Sequence, residues 1–95
     1  MTFDYSFNAS TGHATIEKGS TKIPQWAFSG RGDVKSVTIP NSVNKIDTWA
    51  FSGRSIEDLE IPDSVTTIGS YAFMGNNIYT LTIPDSVTSI GSYAF

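Results

Sequence analysis

Apolar residues recur along this chain in two alternating styles. In the stretches SVTIP, DLEIP and TLTIP every second residue is apolar, so Val37 and Ile39, Leu59 and Ile61, and Leu81 and Ile83 fall on one side of a short β-strand. The proline that follows, Pro40, Pro62 or Pro84, has no N–H to donate and ends the ladder. A second extended piece lies around Val43 to Ile46, Val65 to Ile68 and Val87 to Ile90, and leads into an aromatic residue and an Ala-Phe pair. Two residues after Phe28, Phe51 and Phe73 a glycine, Gly30, Gly53 or Gly75, stands where a tight turn wants positive φ. The pattern predicts one unit of strand, corner, short strand and turn.

That unit is written several times. Ile61 to Phe73 reads IPDSVTTIGSYAF and Ile83 to Phe95 reads IPDSVTSIGSYAF, differing only in Thr67 against Ser89. The Ala-Phe pairs fall at Phe28, Phe51, Phe73 and Phe95, at spacings of 23, 22 and 22, and Ile23, Ile46, Ile68 and Ile90 keep step with them. The units run 14–28 (partial), 29–51, 52–73 and 74–95, the first being degenerate, with Ile16-Glu17 where later units have Ile-Pro. A unit this short cannot bury its own apolar flank, so like side chains are expected to lie over like in continuous columns. The predicted inner columns are Ile16/Ile39/Ile61/Ile83, Ala14/Val37/Leu59/Leu81, Val43/Val65/Val87, Ile23/Ile46/Ile68/Ile90 and Phe28/Phe51/Phe73/Phe95. Trp26, Trp49, Tyr71 and Tyr93 form an aromatic column beside the small Ala27, Ala50, Ala72 and Ala94.

The beginning reads differently. Phe3, Tyr5 and Phe7 alternate, a polar stretch with Gly12 follows, and Ala14 and Ile16 alternate again, which predicts a hairpin with a four- or five-residue turn. Residues 2–17 are expected to cap the first strand of the stack. The last unit stops directly after Ala94-Phe95, without the turn that follows the earlier pairs, and reads as truncated at its C-terminus; its open ladder invites end-to-end self-association.

Composition narrows function mainly by exclusion. Of 95 residues, nine acidic against six basic give a net charge of −3, which lacks the basic field that nucleic acid or an anionic membrane requires. The absence of cysteine excludes disulfides, thiolate metal sites and cysteine nucleophiles. No apolar run approaches the ~20 residues that span a bilayer, and MTFDYSFNASTG has neither the basic nor the apolar segment of a signal peptide. No cofactor motif is present.

The pattern of leucine or isoleucine followed by I-P-x-S-V-T-x-I-G-x-x-A-F, over residues 14–95, resembles the BspA-like bacterial leucine-rich repeats. The resemblance implies a right-handed, mainly β superhelix with a parallel sheet on its concave side, short second strands and turns. It also implies a protein-binding or adhesion role at the cell surface or outside the cell. Three departures bear on turn geometry: Arg31, Arg54 and Asn76 stand where the family often has cysteine, two steps are 22 residues, and Pro24 and Asp47 replace the usual glycine.

In such a stack the outward residues form two columns about 4.8 Å apart from strand to strand: His13, Ser36, Asp58, Thr80 and Thr15, Thr38, Glu60, Thr82. They make a hydroxyl-rich platform with one acidic spot, suited to a protein or a glycan, although Thr and Ser also favour outward strand positions with no ligand. Asp58 and Glu60 lie roughly 7 Å apart by strand geometry, a separation that overlaps that of inverting glycosidases. No pocket or third triad member is legible around them or around His13 and Ser36, and an enzyme is not expected. Asp63 over Asp85, with Asn41 and Lys18 at the equivalent positions, reads as corner chemistry rather than a metal site. Arg31-Gly32-Asp33 spells an integrin-type tripeptide on a loop expected to be exposed, but Arg54 recurs at the position of Arg31 without it, which favours a turn residue. Asn8-Ala9-Ser10 is a glycosylation sequon by pattern and reads as turn chemistry. The leading expectation is a non-enzymatic interaction module whose partner is a host extracellular or bacterial surface protein; the alternatives are an architectural spacer and a carbohydrate-active enzyme using Asp58 and Glu60.

Overall fold

A computed structural model describes residues 3–53 and 56–95; Arg54, read above as a turn residue, and the first residue of the expected cap lie outside them. Nine strands and no helix occur among the described residues: β1 Tyr5–Asn8, β2 His13–Ile16, β3 Lys22–Ile23, β4 Ser36–Thr38, β5 Lys45–Ile46, β6 Asp58–Glu60, β7 Thr67–Ile68, β8 Thr80–Thr82 and β9 Ser89–Ile90. They form two sheets, a five-stranded one in the order β1-β2-β4-β6-β8 and a four-stranded one in the order β3-β5-β7-β9. All pairings are parallel except β1 with β2, which is the predicted hairpin, with Tyr5 opposite Ile16 and Asn8 opposite His13. The chain is a β-solenoid in which each coil contributes one strand to each sheet.

Register follows the repeat. Val37 pairs with Leu59 and Leu59 with Leu81; Ile46 pairs with Ile68 and Ile68 with Ile90. The corners are tied between coils as well: Asn44, Thr66 and Thr88 donate their N–H to the carbonyls of Thr21, Asn44 and Thr66, each at 2.9 Å. The corner serine does similar work through its side chain, with Ser42, Ser64 and Ser86 Oγ donating to the carbonyls of Ser20, Val43 and Val65 at 2.6, 2.6 and 2.7 Å. The hydroxyl of the Pro-x-Ser corner thus serves the stack, while Asp63 and Asp85 face solvent. Ser64→Ala is expected to cost about 1 kcal/mol in urea unfolding, with the Val65 N–H bond to Pro62 intact.

The core contains the predicted columns as far as the third unit, together with one column that the alternation does not predict; in the last unit Ile83, Ile90 and Phe95, predicted inside, are exposed, because no coil packs over them. Ile16, Ile23, Ile46, Val43, Val65, Ile68, Phe51 and Phe73 are fully buried. Val34 and Ile56 are equally buried, and Ile78 is partly buried against the same core, although all three stand alone in polar loops. Phe28, Phe51, Phe73 and Phe95 stack with near-parallel rings 5.0–5.2 Å apart. The alanines before them let backbones approach, and Phe28, Phe51 and Phe73 donate to the carbonyls of Ala50, Ala72 and Ala94 at 2.7 Å.

The aromatic column is built on an unusual backbone. Trp26, Trp49, Tyr71 and Tyr93 have φ of 68°, 62°, 60° and 57°, a left-handed conformation that is uncommon for bulky residues and costs on the order of 1 kcal/mol each. At Trp26, Trp49 and Tyr71 the N–H donates to the next coil, to the carbonyls of Thr48, Ser70 and Ser92 at 3.4, 3.2 and 3.0 Å. The rings stack in register, with centroid distances of 5.2, 4.2 and 5.3 Å. The turn is the same whether Pro24, Asp47 or Gly69 leads into it, since the third residue on donates back to each of their carbonyls at 3.2–3.3 Å. The expected disturbance from Pro24 and Asp47 is therefore absent. Gly69 is required for another reason, as a Cβ there would lie 2.7 Å from the Thr48 nitrogen. Tyr71→Gly is expected to be more stable than Tyr71→Ala by about 1 kcal/mol, because alanine keeps the left-handed penalty without the stacking; thermal unfolding of the pair checks this.

At the N-terminal end, the Phe3 and Tyr5 rings pack on Phe28 at 6.0 and 4.5 Å. Arg31 locks this hairpin to the first full coil. Its guanidinium lies 4.9 Å from the Phe7 ring centroid, donates to the Tyr5 hydroxyl, and forms a fork on Asp33 at 2.9 and 3.1 Å.

Candidate functional site

The outer face of the five-stranded sheet collects most of the candidate residues, because alternate strand residues must point away from the core. A shallow depression of about 650 Å³ is lined by His13, Ser36, Thr38, Asn41, Asp58, Glu60 and Asp63, with Ile39, Ile61 and Pro62 at its side. Here the structure corrects the sequence reading, which saw no pocket around Asp58 and Glu60. Asn41 and Asp63, on the corners after β4 and β6, are exposed and line the rim of the depression. Thr15 lies in an adjoining hollow with Ser6, Asn8 and Thr11, and Thr82 in another with Asp58, Glu60 and Pro84. Thr80 sits on β8, in register with Asp58; its side chain is not among those described.

His13 occupies one end of the depression. Its Nδ1 is 2.6 Å from Ser36 Oγ and its Nε2 2.7 Å from Thr38 Oγ1, so the imidazole lies along β4 with both nitrogens engaged. The sequence reading placed Ser36 beside His13 with no third member. The third member is a hydroxyl, Thr38, on the same strand two residues on. A hydroxyl orients an imidazole but does not stabilise imidazolium as a carboxylate does, and both ring nitrogens here are held by hydroxyls. Asp58 and Glu60 are exposed on β6. The face thus grades from an imidazole with two hydroxyls to a carboxylate end. Among the described residues no cluster of three or more histidine and carboxylate side chains could hold a metal ion.

The Arg31-Gly32-Asp33 loop is presented differently from what its spelling suggests. Gly32 and Asp33 are exposed as expected, but Arg31 is half-buried and its charge is paired with Asp33 itself. The hydrogen bond from Arg31 holds the Asp33 carboxyl below its ordinary value of 3.8. A carboxyl whose folded pKa is depressed stabilises the fold above its unfolded pKa and loses that contribution as pH falls through the folded value. The Asp33 carboxyl carbon is expected to titrate by NMR at lower pH than in a short peptide of the same loop, and Arg31→Ala is expected to return the midpoint to the peptide's.

A solenoid of stacked coils with a hydroxyl-rich and acidic outer face defines the class of protein as a repeat scaffold. The chain belongs to the BspA-type leucine-rich repeat family, whose model matches residues 2–95 with six copies, where the Ala-Phe spacing alone counts four units. Comparison with curated proteins and with solved structures gave no match. The family is one of repeat modules for protein interaction.

Proposed function

We propose that the chain is a non-enzymatic adhesion module, acting at the cell surface or outside the cell, that contacts a protein partner through the outer face of the five-stranded sheet. The observation that carries this reading is the depression itself. His13, Ser36, Thr38, Asp58, Glu60 and Asp63 converge on it from three adjacent strands and a corner, each held in register by the ladder beneath. The carboxylates at one end favour a partner segment with basic residues, and the hydroxyls and imidazole supply hydrogen bonds for its backbone. An enzymatic role is not supported, because Asp58 and Glu60 lie on an exposed strand surface where water solvates both carboxylates.

The test is binding of purified extracellular-matrix proteins to the immobilised chain, followed by biolayer interferometry, with a glycan array run beside it. A matrix protein is expected to bind and to lose at least tenfold in affinity to the double variant Asp58→Lys, Glu60→Lys. Asp33→Ala is expected to leave that binding intact. Binding abolished by Asp33→Ala and untouched by the charge reversal would assign recognition to the tripeptide loop instead. No binding to either panel would leave the chain an architectural spacer.

A further inference from the structure

We propose that His13 is a pH switch built into the depression: its protonation frees a hydroxyl of β4 for a carboxylate of β6 and weakens the hold of the face on a basic partner segment. The inference rests on the reading of that face as the contact surface.

The hydrogen bonds of the ring carry the argument. His13 Nδ1 lies 2.6 Å from Ser36 Oγ and Nε2 2.7 Å from Thr38 Oγ1. A neutral imidazole has one N–H and one lone pair, so one of these hydroxyls accepts from the ring while the other donates to it. An imidazolium donates from both nitrogens. Both hydroxyls must then accept, and the one that had donated regains a free O–H. In either tautomer a carboxylate stands in the direction that this O–H can turn. Ser36 is in register with Asp58, and Val37 with Leu59, which sets Thr38 beside Glu60, each pair ~4.8 Å apart from strand to strand. The acid form thus engages a carboxylate from within the protein and adds a positive charge to the depression, while the ring keeps both of its partners. Both changes oppose a cationic ligand, and neither needs the backbone to move.

The charges around the ring favour this coupling. From β1 and its turn, Ser6, Asn8 and Thr11 face the same side as His13, and none is charged. The loop before β4 brings Lys35, whose stem runs beside Gly12, and Asp33, whose carboxylate is held by Arg31. Asp4, Glu17 and Lys18 lie at the far end of the hairpin, beyond Thr15. Among the described residues, the charged groups that share the depression with His13 are therefore Asp58, Glu60 and Asp63. Imidazole is the side chain whose charge ordinarily changes between pH 5 and 8, and His13 is the single histidine of the chain.

NMR of the chain and binding of a tri-arginine peptide, at about pH 8 and about pH 5.5, test this. Arginine keeps its charge at both, so a pH dependence belongs to the protein. In the free chain the ring nitrogens of His13 are expected to report one tautomer at the higher pH and imidazolium at the lower, with the ring against Thr38 in both. The peptide is expected to bind about threefold or more tightly at the higher pH. His13→Gln, which keeps a hydrogen-bonding side chain and has no charge to gain, is expected to bind it equally at the two. A ring that leaves β4 on protonation, equal affinity of the parent chain at both pH values, or a pH dependence that survives His13→Gln would each overturn the switch and leave the contact face in place. A peptide bound at neither pH would overturn the reading of the face and the switch with it.

Discussion

Phe51→Ala is expected to leave the chain largely unfolded at room temperature. Phe51 is fully buried, its ring lies flat between Phe28 and Phe73 at 5.0 and 5.1 Å, and its N–H is fixed to the Ala72 carbonyl. Truncating a buried phenylalanine costs about 3–5 kcal/mol, because the removed atoms leave a cavity that a packed interior closes only in part. A chain of this size holds only 5–15 kcal/mol in total. In a solenoid the loss is not local: each coil is stabilised by its neighbours, so removing the interface on both sides of the middle coil uncouples the two ends. Urea unfolding followed by circular dichroism should show a midpoint shifted by several kcal/mol or no transition. Phe95→Ala, in the same column but half exposed and covered on one side, should cost less than half as much. Equal losses at the two positions would show that the column does not carry the stack.

The contrast between these positions indicates what the sequence makes legible. Ile46, Ile68, Phe51 and Phe73 are readable as core because each recurs at 22 or 23 residues inside a segment whose alternation already points it inward. Val34, Ile56 and Ile78 recur at the same interval, but each is a lone apolar residue among turn formers, and period-two reasoning gives it no face. Repetition alone was the available signal. The left-handed backbone at Trp26, Trp49, Tyr71 and Tyr93 had no local signal, because the residues that normally mark it are glycine and asparagine. At Trp26, Trp49 and Tyr71 it goes with bonds and stacking from the next coil, while Tyr93 adopts it with stacking on Tyr71 alone. On the outer face, the rows of His13 and Ser36 follow from register, whereas the second bond from His13 to Thr38 and the fork of Arg31 on Asp33 depend on side-chain torsions that no spacing encodes.

Asn76 is where one side chain replaces several backbone bonds, and it carries the second large expected effect. It stands in the column of Arg31, yet turns inward: Oδ1 accepts from the Ile56 N–H at 3.2 Å, while Nδ2 donates to the carbonyls of Phe51 and Phe73 at 2.7 and 3.0 Å. The amide thus ties the turns after two successive phenylalanines to Ile56, just before β6. Asn76→Ala would remove all three of these bonds in a part-buried setting, and is expected to cost about 3 kcal/mol in urea unfolding. Asn76→Asp separates packing from hydrogen bonding. Its shape is the same, but an ionised carboxylate can only accept, and would face two carbonyl oxygens. Its pKa in the folded chain would be raised, so the penalty is full at neutral pH and shrinks as pH falls through that raised value and the carboxyl again has a proton to donate. Stability of Asn76→Asp that rises on mild acidification, while the parent chain's does not, is the expected result; a variant as stable as the parent at neutral pH would remove Asn76 from the bonds that hold the coils together.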